Sequence, residues 1–331
     1  MRKINFSHAN LCLRSIRQKA YAFRRQEFAG LRKGMVISML EIPESLTIAG
    51  QLNETVQGRR IAEVEAAHTP HSFAWYSGEP GFYSEVMEGR EIGVSVGIGS
   101  MVEIALGPKH PKTVHLKCGI SEVENSGKYS FIAGDGATIR YFEPGQPLPE
   151  RYQTRITLED GSSLICTIRM YGSMSLVQPE VFDNPYYLAA KQKPLPNTKN
   201  FTYSYFRGLF DVVSGTMSMK AFLATQQRIP GLGNGVLQDI LLEAGLHPKR
   251  KIGSLTEVQR RRIYDTVVET LRKMTAGGGR DTEKDLFGKA GGYHTLLSQR
   301  AAGRPCPYCG TEIRKANYLG GTVYFCPTCQ E

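Results

Sequence analysis

Three patterns along the chain predict an α+β fold in successive parts. Short alternating segments separated by turn signals run to about residue 175, an apolar period near 3.6 residues governs 203 to 275, and two paired-cysteine units close the chain. These read as an N-terminal β-sandwich domain, a C-terminal helical domain and a terminal β-hairpin built around the cysteines.

Residues 1–38 come first, a basic extension with nine Lys or Arg against one acid, Glu27. Three readings compete for it: a start placed upstream of the true one at Met35 or Met39, a disordered arm that grips phosphates, or an organelle transit peptide. Residues 39–175 form the sandwich domain, with one helix near 44–57. Its strand-like segments include 60–66, 113–116 and the two sides of 158–164, where Asp-Gly marks a tight hairpin. Residues 176–200, punctuated by Asn-Pro and Lys-Pro-Leu-Pro, form a linker. Residues 201–300 are helical at first, with Val236, Ile240, Leu241 and Ala244 on one face, and the pattern changes after Gly-Gly-Gly at 277–279. Residues 301–331 carry the cysteine hairpin.

Composition narrows the function classes. A chain of 331 residues with 41% hydrophobic side chains can bury real cores. No apolar run approaches the roughly 18 residues a membrane span requires, and no secretory signal is present, so a cytoplasmic protein without membrane attachment is expected. The formal charge of +10 is unevenly spread: residues 39–200 sum to −5 and residues 201–331 to +7. The helical part therefore suits an acidic partner, although a solvated basic face gives the same count.

Cys306, Cys309, Cys326 and Cys329 give CxxC, sixteen residues, then CxxC, a spacing that fits four thiolates around one tetrahedral zinc ion. Two separate redox pairs would need a thioredoxin-like strand-helix context, which is missing here. Four cysteine ligands leave no place for water or substrate, so the zinc is structural and supplies folding energy to a segment too short for its own core. Residues 220–234 end one helix and, through Pro-Gly-Leu-Gly-Asn, begin another, with Asn234 at the N-cap position and amides free to attract an anion. That turn alone is equally an ordinary helix connection. His-Thr-Pro-His at 68–71 lacks a third metal ligand and reads as a loop after a strand.

Taken in order, Met-Leu-Glu-Ile-Pro-Glu (39–44), Gly-Arg-Arg-Ile (58–61), Pro-Gly-Leu-Gly-Asn (230–234), Glu-Ala-Gly-Leu-His-Pro (243–248), Gly-Gly-Arg-Asp (278–281), Gly-Gly-Tyr (291–293) and the terminal cysteines resemble the formamidopyrimidine-DNA glycosylase and endonuclease VIII family. The resemblance spans about 39–331. It implies a helix-two-turn-helix DNA-binding domain followed by a zinc finger, and a monomeric base-excision enzyme acting on double-stranded DNA that carries a damaged base or an abasic site, in the bacterial cytoplasm at the nucleoid. It implies that Lys220 and Asn234 hold the phosphates flanking the lesion, and that Arg169 and Tyr171 fill the gap left by a flipped base. An arginine and an aromatic suit that void because they pair with the orphan base and stack on its neighbours.

The sequence departs from the family where the chemistry is done. The family's nucleophile is an N-terminal proline, and Leu40 stands in its place. Glu41 matches the acidic residue beside it and is the candidate proton donor, able instead to activate a water. The same acid, with Glu44, would also be favoured simply by a helix N-terminus. The family's strand lysine falls near Met101 and its zinc-finger arginine at Gly321. Grip is retained better than chemistry. The expected function is therefore a DNA glycosylase removing oxidised bases with its AP-lyase activity weakened or lost, the alternative being a non-catalytic sensor of abasic or distorted DNA. A zinc-ribbon protein of RNA metabolism would leave 39–44 unexplained.

Overall fold

In the computed structural model, which describes residues 40–109, 127–134 and 136–331, two lobes meet along one helix. That helix, α1 (Ile42–Thr55), begins with a capping box in which Glu41 and Glu44 exchange backbone and side-chain hydrogen bonds. Its apolar residues divide between the lobes: Ile48, Ala49 and Leu52 enter the sandwich core, and Ile42 enters the helical core. The basic extension and the predicted strand at 113–116 lie outside the described residues.

The sandwich pairs β1 (Ile61–Ala66), β7 (Thr154–Leu158), β8 (Ser163–Ile168) and β6 (Ala137–Phe142) in one antiparallel sheet. The other has the order β2 (Ala74–Ser77), β9 (Gly172–Val177), β5 (Tyr129–Gly134), β4 (Met101–Lys109) and β3 (Arg90–Ile98), antiparallel except for β2 beside β9. Between β2 and β3 lies a short helix, α2 (Tyr83–Met87). The hairpin predicted at 158–164 joins β7 to β8, with Gly161 at φ +85°. Ile139, Ile156, Leu164 and Cys166 from one sheet face Val102, Ile104, Phe131 and Met174 from the other.

The expected linker at 176–200 is more structured than its proline content suggested. It includes the end of β9 and a helix, α3 (Pro185–Gln192), whose Tyr187 and Ala190 cover Ile98, Met101, Ile132 and Val177 on the outer face of the five-stranded sheet. Two of the prolines there, Pro179 and Pro185, start helices, the second behind the Asn184 cap, while Pro194 follows the end of α3. Met101 is thus a core residue of this layer.

The helical lobe contains α4 (Tyr203–Gly208), α5 (Met219–Ala224), α6 (Asn234–Ala244) and α7 (Glu257–Ala276), packed around Phe206, Phe222, Leu237, Ile240 and Val267. After α7 the chain returns to the first lobe. Leu286 is fully buried in the sandwich core, its backbone held by Gln51 Oε1 (2.9 Å) and the amide of Tyr141 (2.9 Å). The terminal hairpin, β10 (Arg314–Tyr318) and β11 (Gly321–Phe325), leans on α6. Among the described residues no helix is long and apolar enough to cross a membrane.

Candidate functional site

The start of α1 meets the start of α6 where the lobes join. The Ile42 amide donates to Gly231 O (3.1 Å), and Gly231, at φ +80°, lies so close to Gly99 that a Cβ there would come within 2.3 Å of its carbonyl carbon. This glycine therefore serves the contact between lobes. Helix α6 is capped at Gly233, and Asn234 is its first helical residue, one position later than the sequence suggested.

The anion expected at this helix start is supplied by the protein itself. Glu41 accepts from the Gly235 amide at Oε1 and from the Val236 amide at Oε2, both at 2.8 Å. Behind it sits Arg280, 3% exposed, whose Nη1 is 3.7 Å from Glu41 Oε1. The same guanidinium grips Glu44 in two places, Nε to Oε1 at 2.9 Å and Nη2 to Oε2 at 2.8 Å, and the Arg280 amide adds a third bond to Oε1 at 3.1 Å. Gly235 has to be glycine, because a Cβ would sit 1.6 Å from Arg280 Nη1. Burial pushes the Glu41 carboxyl above its ordinary range, while Arg280 and the two amides pull against it. Leu40, just before, is buried with Ile48, Ala49 and Leu52.

Sequence reading marked 278–281 only as a shared motif and did not assign Arg280 a role. A single arginine after three glycines carries no periodic signal, and its two partners lie more than 230 positions away. Asp239 was missed as well: its carboxylate accepts from the amides of Leu296 (2.9 Å) and Leu297 (2.8 Å), fixing that segment on α6, with its pKa pushed up to about 6 by burial.

The second cluster joins the turn to the terminal hairpin. Lys220 Nζ donates to Tyr318 O (2.6 Å), Asn234 Nδ2 to Thr322 O (2.9 Å) and Gln238 Nε2 to the same oxygen (3.1 Å), while Gln238 Oε1 accepts from the Tyr324 amide (3.0 Å). Burial drops the Lys220 pKa to about 8. Gly321 stands beside them, where a Cβ would be 3.4 Å from Lys220 Nζ. Lys220 and Asn234 are thus adjacent, but each is occupied by a hairpin carbonyl.

Cys306, Cys309, Cys326 and Cys329 converge with their sulfur atoms within 4.8 Å of one another, and they are the one such group of potential metal ligands among the described residues. Four clustered thiols are able to hold a metal ion. The 68–71 loop is no part of a metal site: His68 stacks on Tyr152 at 4.1 Å and pairs with Glu65 (2.7 Å), and His71 Nδ1 accepts from the Phe73 amide. Arg169 and Tyr171 occupy the β8–β9 connection, Arg169 exposed and Tyr171 half-buried, well apart in sequence from the other clusters.

Replacing Arg280 with Met is expected to destabilise the fold by about 3–5 kcal/mol, because it leaves two buried carboxylates without their cation. The deficit relative to wild type should shrink as pH falls toward about 5. Burial already raises the Glu41 carboxyl and the guanidinium opposes it, so without Arg280 protonation of Glu41 at lower pH removes part of the uncompensated charge. Chemical denaturation at neutral and acidic pH measures both effects; a loss below about 1 kcal/mol at neutral pH contradicts this role.

No family model matches the chain. Among curated proteins, the formamidopyrimidine-DNA glycosylase of Symbiobacterium thermophilum is 30% identical over 297 residues, covering 88% of this chain and 89% of its own length. That of Lactococcus lactis subsp. lactis is 24% identical over 295 residues, covering 88% of this chain and all of its own. Among solved structures, the Lactococcus lactis Fpg in complex with an abasic site containing DNA superposes with a TM-score of 0.71 at 22% identity, over 88% of this chain and 99% of that one. The MutM (Fpg) protein of Thermus thermophilus gives 0.68 at 25% identity, over 88% and 98%. With this agreement in sequence and in fold, the chain belongs to the formamidopyrimidine-DNA glycosylase family.

Proposed function

We propose that this protein binds duplex DNA carrying a damaged base or an abasic site and acts in base-excision repair, in the cytoplasm at the nucleoid, as a glycosylase that removes oxidised bases without efficient strand cleavage. The observation that carries this reading is Leu40 followed by Glu41. In this sequence the Leu40 nitrogen is a peptide amide joined to Met39, and a delocalised amide lone pair cannot form a Schiff base. Its side chain, packed in the sandwich core, offers no substitute.

Attack then falls to water. Glu41, held opposite Arg280, takes the water proton as the oxygen bonds to the sugar C1′; the glycosidic bond breaks and the base leaves with its electron pair, then gains a proton. One water is consumed, and the products are a free base and an abasic sugar in an intact strand. The sensor reading is favoured by one feature: both Glu41 oxygens already accept amide hydrogens and the residue is only 6% exposed.

Lys220 and Asn234 would hold the phosphates after exchanging their hairpin carbonyls for phosphate oxygens, and Arg169 and Tyr171 would fill the gap in the stack. The four cysteines fit a structural zinc ion, since a complete thiolate set leaves no open position, and the metal would fix the hairpin that carries Tyr318 and Thr322.

Three outcomes are expected. Wild type should release the oxidised base from an 8-oxoguanine or formamidopyrimidine duplex while leaving the strand intact, and Glu41→Gln should lower release at least about 100-fold with duplex affinity retained; equal rates would rule Glu41 out. Lys220→Ala should weaken binding across sequences and reduce the salt slope by about 1. Wild-type affinity should fall as pH rises above about 8, where free Lys220 loses its proton, and the variant should lack that fall; an unchanged slope and pH profile would contradict the phosphate role. Metal analysis of reduced protein should find about one zinc per chain, and finding none would refute the structural ion.

A further inference from the structure

A sheet edge beside Arg169 and Tyr171 carries an aromatic cluster that none of the groups above accounts for, and we propose that it stacks the unpaired bases around a DNA lesion. This rests on the DNA-lesion reading just given. Strand β2 runs parallel to β9, with Ala74 opposite Gly172 and Trp75 opposite Ser173, and the Gly172 amide donates to Phe73 O at 3.0 Å. Side chains alternate along a strand, and Ala74 and Tyr76 pack against the sandwich core. Phe73 and Trp75 therefore belong to the outer face, as does Tyr171 one step before β9. Helix α3 covers that face elsewhere, over Ile98, Met101, Ile132 and Val177.

The result is a small aromatic platform. Trp75 and Tyr171 have ring centroids 6.1 Å apart at an interplanar angle of 51°, and His71 meets Phe73 edge-on at 6.4 Å. Phe73 is 42% exposed, an unfavourable position for a phenyl ring in water, and the exposed Arg169 lies two residues before Tyr171 in the β8–β9 connection. Flat rings on a segment that also carries an exposed arginine match the faces of nucleobases, which stack without regard to sequence. The cluster is continuous with Tyr171, so a base displaced by the Arg169–Tyr171 pair would meet Trp75 and Phe73 next. That continuity favours unstacked bases of distorted duplex DNA over a protein partner.

Trp75 is the chain's single tryptophan, so its emission reports on this patch alone. The full chain is titrated with a duplex containing one tetrahydrofuran abasic analogue and with the intact duplex of the same sequence. Trp75 emission is expected to drop on the abasic duplex. Phe73→Ala should weaken that complex about tenfold, in line with the roughly 1–3 kcal/mol of a base–aromatic stack. Phe73→Tyr should restore it, and intact-duplex affinity should not change. Phe73 is exposed, so thermal unfolding of the variants should match wild type. If wild type prefers the abasic duplex while Trp75 emission and Phe73→Ala affinity stay unchanged, the platform is refuted and the proposed function stands. If wild type shows no preference for the abasic duplex, the proposed function fails and the platform falls with it.

Discussion

Arg280 reaches from the segment after α7 into the junction of the two lobes, where its guanidinium and amide make three hydrogen bonds to Glu44 and its Nη1 faces Glu41. Burying a cation and two acids is costly for each ion alone, and the arrangement holds because each group is a partner of another. Its consequences extend outward. Glu44 completes the cap of α1, Glu41 closes the start of α6, and α1 sends Ile42 into one core and Ile48 into the other. The 278–293 segment, once anchored by Arg280, delivers Leu286 to the sandwich. The site is thus made where the fold is joined, and its acidic residue is fixed by the same bonds that fix the lobes.

The same geometry bears on how the proposed site would hold DNA. A helix N-terminus usually offers its amides to an external anion. Here Glu41 takes two of them, so under the proposed function phosphate binding would fall to Lys220 and Asn234, both held on carbonyls of the terminal hairpin. Those carbonyls are neutral acceptors, and a phosphate is a charge-assisted one that competes well for an ammonium. Gly321 leaves room beside Lys220 without adding a second cation. Glu41, Lys220 and Asn234 are all in place at this junction.

Much of the fold was legible because it is written in local signals: alternation in β1 and β7–β8, the helical period of α6, turn glycines and cysteine spacing. The linker was misjudged because proline marks both a break and a helix start, and the apolar residues of α3 are too few to show a period. Short motifs singled out Glu41, Lys220, Asn234 and the cysteines, and the fold brings the first three to the lobe junction and the hairpin and clusters the four sulfurs. Arg280 was not singled out, since what makes it matter is a contact across the whole chain. Nor did the sequence indicate that the helix-start amides would be taken by Glu41, which lies nearly 200 residues upstream. The aromatic cluster was similarly hidden, because β2 meets β9 in parallel and no local pattern announces that pairing.

The most direct test of the claim that grip survives while amine chemistry does not is borohydride reduction of the full chain on a duplex with one abasic site, with affinity measured on the same sample. Tight binding with no covalent protein–DNA adduct and no strand cleavage is expected. A trapped adduct would contradict the account, because it would require a nucleophilic amine that Leu40 does not provide.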